Sequence, residues 1–304
     1  MSTALLARPV DQPYQQIITR YDEEQKIAWC LWSPTDRPCF TTAVLHDIHR
    51  FQIGIEAQVR RELMEHGESS IDYVVFGSNL PSVYSFGGDL SLFVECIRAG
   101  DRAALERYMR VCCNPISWVL TQDLPVTSIA LVQGIAFGAG FEAALGCDVI
   151  IAERGAELGF PEALFNMFPG MGGYNLLARA LGVRRAERML LEARTHPAPE
   201  LKELGLIDVV AEEGCGEAAV FDYARKHRRT QNAQRALARA RRCVSPVTRE
   251  ELWQVAEVWL DAAMRLTERE LKTMERLVRA QVKKFQAPAG DTAQSGELKQ
   301  AAAS

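Results

Sequence analysis

An apolar run that leads into a glycine cluster most constrains how this chain can fold. Residues 127–133 are largely apolar, and Gly134, Gly138 and Gly140 follow them before a helix-like segment at residues 141–145. A short apolar run bounded by glycines is typical of a buried strand. A helix that begins at such a turn has unpaired N–H groups at the positive end of its dipole, where a carbonyl oxygen or an anion can bind. This stretch therefore predicts strand-turn-helix structure with a ligand site.

Two glutamates lie beside glycine or proline turns in apolar surroundings. Glu142 follows the glycine cluster between Phe141 and Ala143, and Glu162 follows Pro161. Burial disfavours a charged carboxylate, so such a residue is costly unless it is paired or used. For Glu142, a structural role as a helix-start glutamate stabilised by the dipole is the alternative. Together the two carboxyls are suited to move protons, one as base and one as acid.

A second glycine-rich helix start lies at Gly87 and Gly88, where Asp89 is placed to cap the helix that follows. Two backbone amides, one from each glycine-rich turn, can together bind a carbonyl oxygen as negative charge develops on it. Stabilising that charge acidifies the neighbouring carbon. The two amides and the two carboxyls therefore predict chemistry at a thioester.

Other chemistries have little support in the sequence. Residues 138–143 match a dinucleotide-binding fingerprint, but residues 134–137 separate them from the strand, and Glu162 follows a proline instead of ending a second strand. The motifs of serine hydrolases, P-loop NTPases and zinc proteases do not occur, and His46 and His49 have no third metal ligand nearby. A net charge of -4 gives no general argument for binding nucleic acid.

Periodicity and composition divide the chain into four predicted parts. Residues 1–15 are expected to be a loose arm, residues 16–216 an α/β core of alternating strands and helices, residues 217–285 a helical C-terminal subdomain, and residues 286–304 a disordered tail. The N-terminus has no apolar signal region, and no stretch is long enough to cross a bilayer. With eight scattered cysteines, this predicts a cytoplasmic protein in a reducing compartment that does not enter membranes.

At the motifs described above, the sequence resembles the crotonase (enoyl-CoA hydratase/isomerase) superfamily. Residues 86–90, 132–148 and 159–173 carry the resemblance, which extends over about residues 16–285. It implies an α/β fold with a crotonase-like ββα spiral core and an assembly of trimers or paired trimers. It also implies that the N–H groups of Gly88 and Ala139 form an oxyanion hole and that Glu142 and Glu162 are the catalytic acids. Ala139 departs from the glycine usual in the family, although its amide can still donate.

Within the superfamily the chain looks most like the synthases of diffusible signal factors, the cis-2-unsaturated fatty acids of bacterial quorum sensing. Residues 86–93, 166–174, 258–263 and 274–281 carry this closer match. The resemblance implies dehydration of a long-chain 3-hydroxyacyl group on acyl carrier protein, followed by hydrolysis of the thioester to the free acid. It implies no cofactor apart from the acyl-carrying thioester, and docking of a sensor kinase is known for such synthases.

The residues after Asp89 bear on the carrier of the acyl group. CoA-using relatives commonly have a basic residue directly after this aspartate, whereas Leu90, Leu92 and Phe93 offer no partner for a phosphate. This favours acyl carrier protein over free CoA. A CoA-dependent hydratase or isomerase remains one alternative function, and a non-catalytic regulatory protein on the same fold remains another.

An acyl chain also requires an apolar pocket, and the sequence offers candidates for its walls, for each of which core packing is the alternative. These candidates are Leu92, Phe93, Met171, Gly172, Trp253 and Trp259. Basic residues at 225–229 and at Arg235, Arg239, Arg241 and Arg242 are candidates for docking an acidic carrier protein. A solvated helix face is the alternative for them.

Overall fold

The computed structural model describes residues 8–80 and 82–286. Its strands are β1 (Ile17–Asp22), β2 (Ile27–Trp32), β3 (Tyr73–Ser78), β4 (Val83–Ser85), β5 (Thr127–Val132), β6 (Ile135–Phe137), β7 (Val149–Glu153), β8 (Glu157–Gly159), β9 (Thr195–Pro197) and β10 (Val209–Ala211). Its α-helices are α1 (Thr42–His66), α2 (Leu90–Ala99), α3 (Arg102–Thr121), α4 (Ala139–Gly146), α5 (Gly173–Leu181), α6 (Val183–Glu192), α7 (Ala198–Glu203), α8 (Gly216–His227), α9 (Gln231–Val244), α10 (Arg249–Ala263) and α11 (Glu268–Gln286). Short 3-10 helices lie at Pro9–Asp11 and Glu162–Phe165.

The strands form two sheets that the chain visits alternately. The larger sheet has the order β1-β2-β3-β5-β7-β10, and the smaller has the order β4-β6-β8-β9. The pairs β3–β4, β5–β6 and β7–β8 each place one strand in each sheet, and helices follow each pair. Apart from the antiparallel pair β1–β2, neighbouring strands of the larger sheet are parallel. This repeated strand-strand-helix turn confirms the expected ββα spiral within an α/β fold.

Side chains from both faces of the larger sheet are buried, which explains its nearly continuous apolar strands. In β5, Ala130 and Val132 belong to the main core cluster, on which α4 packs, whereas Ile129 and Leu131 face the cluster that α8 covers. Successive side chains of a strand point to opposite faces. A strand that is covered on both faces is therefore apolar almost throughout and does not alternate apolar with polar residues.

The C-terminal helices pack on the core at different places. Helix α8 lies on β5 and β7, α10 packs against α3, and α11 packs against α2 and the 3-10 helix at Glu162–Phe165. The predicted helical character after residue 216 is confirmed. The division of the chain at that residue stays a prediction, since these helices share the core clusters of the sheets.

Residues 8–15 differ from the expected loose arm, because specific contacts hold them. The Thr19 hydroxyl donates to the Val10 carbonyl at 2.8 Å, and the Asp47 carboxylate accepts from the amide of Gln15 at 2.7 Å. Residues 1–7 of the predicted arm and residues 287–304 of the predicted tail lie outside the described residues. In the described part of the chain, no helix combines the length and apolarity needed to span a membrane.

Candidate active site

The turns before α2 and α4 meet at the wall of a cavity of about 300 Å³. Gly87 makes this close approach possible, since it has a φ of +96° and a Cβ on it would lie 2.7 Å from the carbonyl oxygen of Phe137. The same Cβ would lie 3.2 Å from the amide nitrogen of Ala139. Glycine is therefore required at Gly87 for both its conformation and its contact. As a result, Gly88 and Ala139 line the cavity together.

The amides of Gly88 and Ala139 have no hydrogen-bond partner among residues 8–80 and 82–286. Ala139 is the first residue of α4, so its N–H belongs to the helix turn that lacks intrahelical acceptors. The positive φ of this turn, +51°, falls on Gly138. Alanine at position 139 thus costs no backbone strain. Two free donors on one cavity wall have the form of an oxyanion hole.

Buried polar contacts fix the turn that carries Gly88. The Asp89 side chain accepts from the amide of Leu92 at 3.2 Å, which confirms the predicted helix cap. Arg37 donates to both carboxylate oxygens of Asp89, at 2.7 and 2.9 Å. The Tyr108 hydroxyl accepts from the Asp89 amide at 3.0 Å and donates to the carbonyl of Phe40 at 2.5 Å. The peptide next to the Gly88 amide is therefore held from two sides.

Glu142 lies in the first turn of α4 and is 2% exposed. Its Oε1 accepts hydrogen bonds from the amides of Met171, at 2.8 Å, and Gly173, at 2.7 Å. Burial raises the pKa of Glu142 to about 7, although the two amide hydrogen bonds act in the opposite direction. A carboxyl with this pKa can accept or donate a proton near neutral pH.

Glu162 begins the short 3-10 helix that follows β8. Part of the residue is exposed, but its Oε2 is buried without a hydrogen-bond partner within the described residues. Its Oε1 lies over Gly138, where a Cβ would come within 2.4 Å. Burial, and secondarily the charge of Glu142, raises the pKa of Glu162 well above its usual range. Glu162 is thus the more readily protonated of the two carboxyls.

The structure brings some of the six predicted pocket residues into this cavity and leaves others outside. Phe93, Met171 and Trp259 line it, and Trp259 lies against Gly170, where a Cβ would be 2.5 Å from its ring.

Leu92, Gly172 and Trp253 are not among the lining residues found in the described part of the chain. Leu92 packs on the main core, and a Cβ on Gly172 would lie 2.9 Å from Leu252. Trp253 donates to Glu257 and lies beneath the guanidinium of Arg110, at 3.8 Å. The prediction was wrong for Leu92 and Trp253 because helical spacing alone does not say which face of a helix meets a cavity.

Further lining residues come from helices that had no chemical signal in the sequence. From α3 these are Tyr108, Met109 and Cys112, and from α11 they are Leu277 and Gln281. Glu157, Glu192, Arg194 and Thr195 add polar side chains to the lining. The sequence shows α3 and α11 only as amphipathic helices. Their apolar stripes predict burial but do not distinguish a cavity wall from a packed core.

Most arginines of the predicted docking region are paired within the chain. Arg235 donates to Asp72 at 2.7 Å, and Arg241 and Arg242 donate to Asp148 at 3.0 and 2.8 Å. Arg228 contacts Gln25 at 3.3 Å, and Arg225 pairs with Asp222. These arginines mainly attach α8 and α9 to the rest of the fold. In the described residues, no cluster of His, Cys, Asp and Glu side chains is arranged to hold a metal ion.

Comparison with known proteins agrees with this geometry. A family model described as enoyl-CoA hydratase/isomerase matches residues 61–255. The mitochondrial methylglutaconyl-CoA hydratase of Rattus norvegicus is 31% identical over 163 residues, which cover 52% of this chain and 50% of that protein. The chain spans about half the length of the first curated relatives that it matches.

Two solved structures show the same fold over most of the chain. An enoyl-CoA hydratase/isomerase from Xanthobacter autotrophicus Py2 has a TM-score of 0.70 at 20% identity, covering 90% of this chain and 98% of that one. DspI of Pseudomonas aeruginosa has a TM-score of 0.64 at 25% identity, covering 83% and 96%. The family match extends over more than half of the sequence and includes both glycine-rich turns. The chain therefore belongs to the enoyl-CoA hydratase/isomerase family of the crotonase superfamily.

Proposed function

We propose that this protein removes water from a long-chain 3-hydroxyacyl thioester to form the 2-enoyl thioester. The observation that carries this proposal is the meeting, in one cavity, of two unpaired amides with two carboxyls, one of which accepts two amide hydrogen bonds while the other has a buried oxygen without a donor among the described residues. The amides suit a thioester oxygen that gains negative charge. The carboxyls suit the two proton transfers that a dehydration requires.

The reaction follows from the positions of these groups. The N–H groups of Gly88 and Ala139 bind the thioester carbonyl oxygen and stabilise the enolate that forms when C2 loses a proton. Glu142 takes that proton, and Glu162 protonates the 3-hydroxyl as the C3–O bond breaks. Water leaves, the C2–C3 double bond forms, and the proton on Glu142 returns to Glu162 through solvent. The same groups catalyse hydration in the reverse direction.

The assignment of base and acid rests on the hydrogen bonds of the two carboxyls. Two backbone amides donate to Glu142 and favour its ionised form relative to Glu162. The buried Oε2 of Glu162 has no donor among the described residues, and it can keep a proton that it later delivers. Glu142 is accordingly the base of the dehydration, and Glu162 is the acid.

We further propose that the acyl group arrives on acyl carrier protein and leaves as a free cis-2-unsaturated acid, a signal of the diffusible-signal-factor type. After dehydration, a water attacks the thioester carbonyl, the oxyanion occupies the same two amides, and the C–S bond breaks to release the protonated thiol. Support comes from the matching residues 86–93 and 166–174 and from the lack of a cation directly after Asp89.

A CoA-dependent hydratase or isomerase is the second candidate. It is favoured by the description of the matching family and by the rat relative, whose name specifies a CoA substrate. The two candidates share the dehydration chemistry and differ in carrier and in the final product. Free acid released from an acyl carrier protein distinguishes the first from the second.

The test uses the purified protein with 3-hydroxydodecanoyl groups on acyl carrier protein or on CoA, followed by mass spectrometry of thioesters and free acids. We expect cis-2-dodecenoic acid from the carrier-bound substrate and a loss of at least about 100-fold in Glu142→Gln and in Glu162→Gln. Glu203→Gln, at an exposed site on α7, is the matched control. Enoyl-CoA without free acid would support the second candidate, and no turnover of either substrate would support a regulatory protein.

We also propose, from the family resemblance, that the carrier protein docks on this chain, that a sensor kinase is a partner and that the protein assembles as a trimer. With most arginines paired internally, the exposed Lys226, Arg229 and Arg239 remain as candidate contacts, and the first two lie close together in the sequence. The double variant Lys226→Glu/Arg229→Glu should raise KM for the carrier-bound substrate and leave KM for the CoA thioester unchanged. Arg184→Glu on α6 is the control, and equal KM values in all three proteins would contradict this docking site.

A further inference from the structure

A second, smaller cavity of about 40 Å³ lies beside the active-site cavity. It is enclosed by α1, α3, α4 and the larger sheet, and its lining is almost entirely apolar. Ile116 and Val119 of α3, Ala143 of α4 and Cys147, the residue directly after α4, contribute to it. Ala143 directly follows Glu142, so this cavity begins one residue along α4 from the carboxyl that we assign as the base.

Only a thin wall separates the two cavities. Cys112 and Met171 line both of them, one from α3 and the other from the loop before α5. Methionine is unbranched and has three rotatable bonds, so its side chain adopts new rotamers at little cost. The amide of Met171 is held by Glu142 at 2.8 Å, so the side chain can move while the backbone stays in place. Met171 can therefore open the wall without disturbing the base.

We propose that the second cavity is the distal end of the acyl site, reached when the tail of a long acyl chain displaces the Met171 side chain. This inference rests on the proposed function, because it assumes an acyl substrate in the first cavity. The chain then runs from the oxyanion hole past Cys112 and Met171 and ends between α3 and α4. Met171 becomes a residue that determines specificity for chain length.

Two buried polar groups in the lining of the second cavity set a limit to that length. Gln52 Oε1 and Tyr84 OH are buried there without a partner among the described residues. An alkyl tail pressed against them would leave a donor and two acceptor sites unsatisfied, which is unfavourable. The methyl end of the preferred chain should therefore stop short of these two groups.

The competing route for the tail leads toward α11. The first cavity extends in that direction to Leu277 and to the half-buried Gln281. A tail on that route would end near a polar side chain at the protein surface, whereas the second cavity is lined mostly by buried residues that are apolar apart from Gln52 and Tyr84. Burial of each further methylene is favourable only where the chain leaves water, so the second cavity is the better end.

The test measures binding of saturated fatty acids, from octanoic to hexadecanoic acid, to the purified full-length protein by calorimetry. In the wild type, affinity should rise about fourfold per methylene until the second cavity is filled. Val119→Phe fills that cavity from a position outside the first one. It should leave octanoic acid binding within about twofold of wild type and weaken tetradecanoic acid binding by more than about tenfold. Met171→Ala should strengthen binding of the long acids.

Thermal melting checks that the variants fold, and Val119→Leu, a smaller change in the same direction, replaces Val119→Phe if overpacking prevents folding. Leu277→Phe tests the competing route. The inference would be overturned if the Val119 and Met171 variants preferred the same fatty-acid chain length as the wild type, or if Leu277→Phe alone shortened the preferred chain. The proposed function would stand in both cases. A wild-type protein that binds none of these acids would overturn the proposed function itself.

Discussion

The two glutamates differ in their immediate surroundings, and this difference predicts the pH dependence of the reaction. Burial raises the pKa of Glu142 to about 7, and burial together with the charge of Glu142 raises the pKa of Glu162 well above its usual range. Dehydration requires Glu142 ionised and Glu162 protonated. We therefore expect kcat/KM to rise with pH through about 7 and to fall at higher pH as Glu162 loses its proton. A rate profile from about pH 5 to about pH 10 tests this; a rising limb centred near the ordinary glutamate value would contradict it.

Glu142 should also make stability depend on pH. Its pKa is higher in the folded chain than the ordinary value of 4.5, so its contribution to stability is complete below that value and is lost as pH rises through about 7. The difference corresponds to about 3 kcal/mol. We expect Glu142→Gln to be more stable than wild type by up to this amount near pH 8.5, and by little near pH 4, in urea unfolding experiments. The exposed Glu203→Gln should show no such pH-dependent gain.

At the scale of elements, the position of the oxyanion hole depends on how α3 holds the turn before α2. Tyr108 of α3 bridges the Asp89 amide and the Phe40 carbonyl. Tyr108→Phe leaves both groups buried without this partner, and it should lower kcat by about tenfold to 100-fold with a smaller change in KM. The expected loss in the free energy of unfolding is about 1–3 kcal/mol.

Tyr223→Phe is the matched control for this prediction, since the Tyr223 hydroxyl, on α8, has only a long hydrogen bond of 3.5 Å to Gln234 within the described residues. Steady-state kinetics and urea unfolding of both variants separate positioning from stability. If Tyr108→Phe lost stability with an unchanged kcat, the hydroxyl would have no role in placing the Gly88 amide.

At the scale of the whole molecule, charge pairs attach α9 to the core. This helix buries none of its residues, and Arg241 and Arg242 bind Asp148, whose side chain is 7% exposed. We expect Arg241→Gln/Arg242→Gln to reduce the free energy of unfolding by about 1–2 kcal/mol, because Asp148 loses both cations. The loss should shrink in about 1 M NaCl, where charge interactions are screened.

Activity of this double variant should match wild type, since Asp148 and both arginines lie outside the cavity lining. Arg184→Gln, on α6, controls for the loss of a surface arginine. A loss of stability that is equally large at low and high salt would show that packing, and not charge, attaches α9.

The sequence by itself determined the elements and the residues that stand at their turns. Strands β1, β2, β3, β5 and β7, the Asp89 cap and the glycine-rich starts of α2 and α4 were predictable, because periodicity, capping and positive φ are local properties. Strands β4, β6, β8, β9 and β10 were not predicted, since each has only three residues and is too short for a period to show. Glu142 and Glu162 could also be singled out from the sequence, since burying a charged carboxylate among apolar residues costs free energy.

Only the tertiary structure decided how these turns meet. The approach of Gly87 to Ala139, the amides of Met171 and Gly173 on Glu142, and the cavity walls from α3 and α11 join residues far apart in the chain. Local patterns do not specify such contacts, because an apolar stripe shows that a helix face is buried but not against what. For that reason Phe93 and Trp259 line the cavity while Leu92 and Trp253, equally apolar in sequence, do not.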